Sequence, residues 1–279
     1  MKNQQGFTLI ELAIVLVIVT ILVGGLAMPL SAQIQARRIA ETNKTLEEAR
    51  EAIFGYAMTH TCSCAYDTVA PSGVLLTTSQ TTCDQTSCPT NNPSTNSAVI
   101  QRHYLPCPDT DGNGTENRPS SGECFQQRGF FPWRDLGTAS QDGWGNRIRY
   151  AVTADLADAT IGFHNTSSGT WNQIISSTAQ CSLTPPFVDV ATNVPVVLIS
   201  HGPNSRGARN SNIPFGTATP APPAATVANE LQNLGTPQNT CTTSSFVSTN
   251  PTDVFDDLVT WLPFTVLISR VCPNPGGCP

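Results

Sequence analysis

Charged side chains are scarce in this chain. Of its 279 residues, 12% are Asp, Glu, Lys or Arg, and only two are lysines, Lys2 and Lys44. An ordinary soluble domain has about 25% charged residues. The chain has no run of basic residues, and its formal net charge is −6. Because nucleic-acid binding needs a basic patch, this balance argues against nucleic acid as the main partner.

The N-terminal apolar run lacks the small-residue cleavage site that ends a secretory signal peptide. From Phe7 to Met28 the only charged side chain is Glu11. As a helix, this run is long enough to cross the ~30 Å hydrocarbon core of a membrane. It is too long for a signal peptide, which leaves a plain membrane anchor as the simpler alternative. A carboxylate inside an apolar segment is costly and usually functional, so Glu11 indicates a more specific role.

Residues 6–12 read Gly-Phe-Thr-Leu-Ile-Glu-Leu. This motif closely resembles the N-terminal signal of type IV pilins and type II secretion pseudopilins. The resemblance implies that a membrane peptidase cuts between Gly6 and Phe7 and that the new N-terminus is methylated. Residues 1–6 are then a leader peptide, and residues 7–28 form the transmembrane segment and filament core.

The resemblance assigns assembly roles to further residues of this segment. It implies that Glu11 pairs with the N-terminal amine of a neighbouring subunit, so that only a correctly staggered neighbour satisfies a costly charge. Gly24, Gly25 and Pro29 are expected to weaken the helix, because proline lacks a backbone donor and crowds the carbonyl four residues back. In the family, a segment at this depth can melt as subunits pack into the filament.

The sequence from Ser31 to about Thr59 is amphipathic. Apolar residues recur there at helical spacing, namely Ile39, Leu46, Ile53 and Ala57. We therefore predict one helix over residues 7–59, whose second half packs against a head domain of residues 60–279. The predicted fold class is α+β, with this helix, transmembrane and then amphipathic, on an antiparallel sheet in a loop-rich, disulfide-stapled head.

Cysteine is absent from the apolar segment, and all ten cysteines lie in the polar part of the chain. An even number of cysteines in an exported protein predicts disulfides formed in an oxidising compartment. The spacing does not fix the connectivity, although local pairs Cys83–Cys88, Cys107–Cys124 and Cys272–Cys278 are expected. The ten are Cys62, Cys64, Cys83, Cys88, Cys107, Cys124, Cys181, Cys241, Cys272 and Cys278.

The head combines a few strand-like segments with long stretches that lack periodicity. Three segments are apolar or β-branched and predict strands: Ile148–Val152, Val194–Ser200 and Phe264–Val271. Leu258–Leu262 is ambiguous, because the aspartates before it can cap a helix. Residues 66–98 and 203–250 are rich in Pro, Thr, Ser and Asn and predict loops.

One acidic turn matches the opening of an EF-hand calcium loop, with oxygen ligands on Asp109, Asp111 and Asn113 and a glycine after them. The closing glutamate of such a loop is missing, since Ser120 stands in its place, and Glu116 or Glu123 is the candidate substitute. Calcium is therefore a candidate ligand but not a required cofactor, and the calcium sites of major pseudopilins add support. The alternative is an Asx-rich turn without a metal.

Residues 142–150, Asp-Gly-Trp-Gly-Asn-Arg-Ile-Arg-Tyr, resemble a pseudopilin stretch in which a turn leads into the first strands of the sheet. Gly143 and Gly145 are expected to make this turn, and Trp144 is expected to pack into the core. The role of the segment is then structural.

Ser200 and His201, with a distant Asp256 or Asp257, invite comparison with a hydrolase. The nucleophile elbow Gly-x-Ser-x-Gly is absent, and His201 before Gly-Pro fits the end of a strand. The segments that contain these residues, 198–207 and 256–261, are similar to segments of large pilin-like proteins of Gram-negative bacteria. We therefore expect no catalytic residue and no enzyme activity.

The sequence thus predicts a structural subunit of a type IV pilus-like filament, of the large minor pilin kind. Prepilin peptidase would process it in the inner membrane, where one span anchors it. The assembly machinery would then polymerise it with copies of itself or other pilins into an extracellular pilus. Two alternatives stay open: a periplasmic pseudopilin of a type II secretion system, and an adhesive binding module displayed by the pilus.

Overall fold

The computed structural model describes residues 8–64, 81–82, 100–163, 173–177, 188–212, 227–234 and 245–272. The helices are α1 (Leu9–Thr59), α2 (Trp133–Leu136), α3 (Ala154–Ala157), α4 (Ala228–Leu234) and α5 (Phe264–Val271). The strands are β1 (Thr61–Cys64), β2 (Thr81–Thr82), β3 (Ile100–His103), β4 (Arg128–Phe130), β5 (Arg149–Val152), β6 (Ile174–Ser176), β7 (Asp189–Ala191), β8 (Val196–Ser200), β9 (Ser245–Val247) and β10 (Leu258–Leu262). This is the α+β class that the sequence predicts.

Helix α1 begins and ends at residues that cap it. Thr8 is the N-cap residue, and its side chain accepts a backbone N–H of the first turn. At the other end, the backbone N–H of His60 donates to the carbonyl of Tyr56, and the chain turns into extended conformation. The long helix predicted over residues 7–59 is therefore confirmed from Leu9 to Thr59.

The second half of α1 packs against the head through one apolar stripe. Its residues in the main core are each at most 3% exposed, and they are Leu46, Ala49, Ile53, Phe54 and Ala57. Three of the four residues predicted for this stripe are therefore buried as expected. Ile39 is the exception at 42% exposed, because the apolar packing begins only after it.

The main sheet is antiparallel, with strand order β10-β8-β5-β4. Successive side chains of a strand point to opposite faces, so β5, β8 and β10 each contribute to two cores. Tyr150 and Leu198 lie in the core shared with α1 and α5. Ala151, which follows Tyr150, and Val197, which precedes Leu198, lie in a second core on the opposite face of the sheet.

A second layer covers the face of the main sheet opposite α1. It contains a three-stranded sheet of order β7-β6-β9, in which β6 and β9 are parallel, and the helix α4, which contacts β9. Ile175 and Phe246 of this layer share a core with Val197 and Ile199 of the main sheet. The main sheet is therefore packed on both faces. A third sheet, of order β2-β1-β3, follows α1.

The structure corrects one predicted strand. Phe264–Val271 is helix α5, with Pro263 as its N-cap residue. Its buried residues are Leu267 and Val271, which lie four apart, as one face of a helix requires. The ambiguous segment Leu258–Leu262 is strand β10, so the aspartates before it do not cap a helix there.

Two further strand predictions for the head are confirmed, and one predicted loop contains a short helix and a short strand. The strands predicted at Ile148–Val152 and Val194–Ser200 are confirmed as β5 and β8, each slightly shorter. Helix α4 and strand β9 lie within 203–250, where the sequence predicts a loop. Both are short and belong to the second layer, whose packing stabilises them.

The predicted disulfide between Cys107 and Cys124 is confirmed. Cys62 and Cys272 each take part in a disulfide as well. Several cysteines lie outside the described residues, namely Cys83, Cys88, Cys181, Cys241 and Cys278. The pairs Cys83–Cys88 and Cys272–Cys278 therefore stay predictions.

Candidate functional site

The N-terminal end of α1 is organised by a capping box. Thr8 Oγ1 accepts the backbone N–H of Glu11 at 3.4 Å, while a carboxylate oxygen of Glu11 accepts the backbone N–H of Thr8 at 2.9 Å and its hydroxyl at 2.8 Å. These bonds satisfy donors that a helix start leaves unpaired. Thr-x-x-Glu ahead of an apolar run is the sequence signature of this box, and it adds a local role for Glu11 that the pilin resemblance does not provide.

The predicted cleavage site directly precedes this cap. Gly6 and Phe7 lie outside the described residues, so the cleavage stays a prediction, as does the transmembrane segment 7–28. Cleavage there would leave Phe7 as the one residue ahead of the N-cap Thr8. None of the described helices has an apolar stretch long enough to cross a membrane.

The first half of α1 exposes a continuous apolar surface. In residues 9–22 the large apolar side chains range from 47% exposed at Val19 to 88% at Leu9. None of them belongs to a core cluster of the described residues. Large exposed apolar patches mark contacts with other proteins or with a membrane. This surface is therefore free for such a contact.

The expected helix-weakening residues lie within an intact helix. The backbone of α1 is helical through Gly24, Gly25 and Pro29. Proline is tolerated in a helix interior only at the expense of one backbone hydrogen bond. Melting at this point in a filament stays a prediction.

An aspartate-glycine turn of the head docks on the second half of α1. The backbone N–H of Gly143 donates to the Thr42 hydroxyl at 3.0 Å, and that hydroxyl donates to the carbonyl of Arg38 at 2.8 Å. A Cβ on Gly143 would lie 2.6 Å from the same carbonyl, so this approach requires glycine. The expected turn is confirmed by Gly145 at φ +84°. Trp144 is only half-buried and not part of the core, because the turn lies beside the polar stretch of α1 around Arg38.

The candidate calcium loop uses its own oxygens as hydrogen-bond acceptors. The buried carboxylate of Asp109 accepts the backbone N–H groups of three residues that follow it. The side-chain oxygens of Asp111 and Asn113 accept donors from the same turn. Burial raises the pKa of Asp109 above its ordinary value, although the backbone donors oppose this. This arrangement is the Asx-rich turn that is the alternative to a metal site.

Glu116 connects this loop to α1, and its carboxylate does not join the side-chain oxygens of Asp109, Asp111 and Asn113. Its carboxylate accepts the hydroxyl of Tyr56 at 2.8 Å and the backbone N–H of Cys107 at 2.8 Å, and it pairs with Arg118 at 3.1 Å. Burial, followed by the charge of Glu116, raises the pKa of Tyr56 well above its ordinary value. Among the described residues, no group of three or more His, Cys, Asp or Glu is arranged to hold a metal ion. Calcium binding here stays a prediction, and it would compete with these bonds.

Ser200 and His201 are held by two different carboxylates. The hydroxyl of Ser200 donates to Asp142 at 2.6 Å, and Nδ1 of His201 lies 3.1 Å from a carboxylate oxygen of Asp257. Ser200 and His201 are both 0% exposed. A nucleophile must contact its base and reach a substrate, whereas these side chains tie β8 to the Gly143 turn and to the start of β10. The geometry fits the structural role expected for them.

Comparison with known proteins bears on the N-terminal end of the chain. Residues 1–27 match the family model of the prokaryotic N-terminal methylation motif. No curated protein and no solved structure matches the chain. The match covers the predicted cleavage site, the Thr8–Glu11 cap and the exposed apolar surface, and it points to a structural protein. Residues 1–27 of the chain therefore carry the N-terminal methylation motif, which is the prepilin signal of type IV pilins and pseudopilins.

Proposed function

We propose that this protein is a subunit of a type IV pilus-like filament, cut by prepilin peptidase after Gly6 and polymerised through the first half of α1. One observation carries the proposal: the methylation motif coincides with an apolar helical surface that the described head leaves uncovered. Leaving this surface in water would cost about 25 cal/mol per Å². Packing against equivalent helices therefore keeps it out of water once the subunit has left the membrane, and close van der Waals packing between the helices favours their association.

Before assembly, the same surface lies in the inner membrane as a single span. The head stays outside the membrane, because the second half of α1 is fixed to its core through residues such as Leu46 and Ile53. Transfer from lipid to filament then exchanges one apolar environment for another. This exchange lets a subunit leave the membrane without exposing residues 9–22 to water.

Glu11 sets the register between subunits. In the single chain its carboxylate accepts two hydrogen bonds from Thr8, and both donors are neutral. The N-terminal amine of a neighbouring subunit is a charged donor, and charge-assisted hydrogen bonds are roughly twice as strong as neutral ones. Only one stagger of adjacent helices brings that amine to Glu11, so the pairing selects this stagger.

The substitution Glu11→Val tests the proposal in a bacterium that assembles the filament. We expect normal membrane insertion, but incorporation falls by about tenfold or more, because the neighbour's amine is left buried without its partner. The measurement is the ratio of subunit in the sheared filament fraction to subunit in the membrane. Glu48→Val is the matched control, since Glu48 is a half-exposed glutamate of the same helix outside the matched motif.

Normal filament yield from the Glu11→Val protein would exclude this role for Glu11. Mass spectrometry of the wild-type subunit gives a second check. We expect assembled protein to begin at a methylated Phe7, and filaments that retain residues 1–6 would contradict processing after Gly6.

The same signal fits a pseudopilin of a type II secretion system, and fractionation separates the two possibilities. A pilus subunit is recovered in the sheared surface fraction, whereas a pseudopilin stays with the cell envelope facing the periplasm. The role of Glu11 is the same in both. Adhesion through the head and calcium binding by the Asp109 loop stay further proposals, which adhesion assays and calcium titration of the full chain would test.

A further inference from the structure

The first charged residues after the apolar segment are two arginines. Arg37 and Arg38 are adjacent on α1, and no charged residue stands between Glu11 and this pair. Both side chains are exposed. Because α1 is continuous, Arg37 follows Met28 at a distance of about 14 Å along the helix axis. The pair therefore lies just outside the segment proposed to span the membrane.

These two arginines lack the ion pairs that the other cations of α1 form. Lys44 lies 3.5 Å from a glutamate carboxylate of the same helix, and Arg50 lies 2.7 Å from another. Among the described residues, no carboxylate lies within ion-pair distance of Arg37 or Arg38. The next acidic residue, Glu41, is about one helical turn further from the apolar segment. Two free positive charges therefore stand nearest the membrane.

The head adds a third arginine close to this pair. Its Gly143 turn packs on the backbone of Arg38, ahead of the core residues of α1. Arg147 ends the same turn, and its Nε and Nη1 have no acceptor. The acidic residue of the turn, Asp142, is 3% exposed and accepts the hydroxyl of Ser200. It is therefore engaged inside the fold, and the arginine is left without a partner.

Positive charge predominates around Arg147. Burial lowers the pKa of Arg147, the charge of Asp109 opposes this, and the charges of Arg209 and Arg134 add to the lowering. The carboxylate of Asp109 already accepts three backbone N–H groups of its own turn. Like charges repel one another at short range, so this end of the head favours an anion from outside the chain.

We propose that Arg37, Arg38 and Arg147 form a docking surface, the juxtamembrane arginine patch, for the headgroups of anionic phospholipids before assembly. This inference rests on the single membrane span of the proposed function. The headgroup layer is about 5–8 Å thick on each side of the hydrocarbon core. Side chains of a helix lean toward its N-terminus, here toward the membrane, and long arginine side chains reach back to the interface. Their guanidinium groups therefore meet the lipid phosphates as charged donors.

Such a contact holds the head at the membrane surface without resisting its withdrawal. Attraction to an anionic surface falls off within a Debye length, which is about 8 Å at physiological ionic strength. A rise of that size corresponds to about five residues of helix. The patch therefore releases the lipid early as a subunit leaves the membrane.

The test uses the full chain in phosphatidylcholine vesicles that carry a trace of spin-labelled phosphatidylglycerol or spin-labelled phosphatidylcholine. Electron spin resonance measures the fraction of each labelled lipid that the protein immobilises. We expect phosphatidylglycerol to be preferred by about fivefold, as one arginine near an anionic lipid supplies. The preference should fade when salt is raised from about 0.1 M to about 1 M, because the Debye length shrinks from about 10 Å to about 3 Å.

Variants assign the preference to the patch. Arg37→Gln/Arg38→Gln should lose most of it, because Lys2, at the other end of the span, is then the main cation left near lipid. Arg270→Gln is the matched control, because Arg270 pairs with Glu51, about 20 Å beyond Arg38 along the helix. That distance exceeds the Debye length, so the control should keep the preference of the wild type.

Arg147→Gln alone should lower the preference by a smaller factor, since Arg147 is half-buried, and an unchanged value would remove it from the patch. A double variant that keeps the full preference, or a wild type that shows none after insertion, would overturn the lipid contact and leave the free arginines to an acidic protein. A chain that does not insert into the neutral vesicles would contradict the single span, and this inference with it.

Discussion

The first half of α1 and the head differ in which kinds of side chain they expose and bury. Residues 9–22 leave nearly every large apolar side chain exposed, whereas the head buries polar and charged groups such as His201, Glu230 and Asp257 to 5% exposure or less. Exposed apolar surface is satisfied only by another molecule, and buried charge only by groups inside the fold. The first region is therefore completed by association, whereas the second relies mainly on its own internal contacts.

The largest difference between the two regions is expected from a pair of isoleucines. Ile53→Ala should lower the free energy of unfolding of the head by about 2–5 kcal/mol, because it leaves a cavity in a packed core; Ile53 is 0% exposed. Ile18→Ala should leave it unchanged, since Ile18 is 51% exposed on α1. Denaturant unfolding of the full chain, followed by tryptophan fluorescence, measures both. Equal destabilisation by the two variants would show that the regions are not independent.

A smaller effect is expected where the head meets α1. Gly143→Ala should destabilise by about 1–3 kcal/mol, because its Cβ would press on the carbonyl of Arg38 and force the turn away. Gly55→Ala is the control on the exposed side of the same helix, where an added Cβ meets nothing within 4 Å. It should stabilise by about 0.5–1 kcal/mol through helix propensity. If Gly143→Ala unfolds like the wild type, this turn does not anchor the helix.

The smallest effect concerns buried charge in the head and depends on pH. Oε1 of Glu230 accepts from Asn204 at 2.6 Å, while Oε2 is buried without a donor. Burial first, and then the charges of Asp257 and Asp256, raise the pKa of Glu230 above 4.5. Because the folded-state pKa is the higher one, ionised Glu230 destabilises the fold as pH rises through that value.

Glu230→Gln should therefore stabilise the head by about 1 kcal/mol at neutral pH, because it removes a buried negative charge that lacks a full set of donors. The gain should vanish below pH 4.5, where Glu230 is protonated in both states. Thermal unfolding of variant and wild type across this range measures the difference. A gain that is independent of pH would mean that the charge of Glu230 is not its cause.

The sequence predicts best the features that depend on one period or one motif. Helix α1 follows from a long apolar run and an amphipathic stripe, and residues 6–12 identify the signal. Phe264–Val271 is predicted wrongly, because a short apolar run fits strand and helix alike. The neighbouring segment Leu258–Leu262 forms the edge strand of the main sheet instead. Its pairing with β8 is a contact between segments distant in sequence, which a local sequence pattern does not predict.

Sites in the head are harder to predict, because their geometry depends on contacts between distant residues. The sequence shows the oxygens of Asp109 and Asp111, but not that backbone N–H groups of the same turn occupy them. Arg128 and Arg149 become neighbours only through the pairing of β4 with β5. Helix α4 is held partly by Asn233, which bonds the backbone of Val247 in β9, and no periodic pattern signals such a bond.

The main sheet separates the packing of α1 from the packing of the second layer. Helix α1 packs on one of its faces, and the second layer packs on the other. Residues such as Leu198 and Val197 alternate between the two sides, so a substitution on one side leaves the other side's neighbours in place. Substitutions on one face of the sheet therefore act mainly on the packing of α1, and substitutions on the other face act mainly on the packing of the second layer.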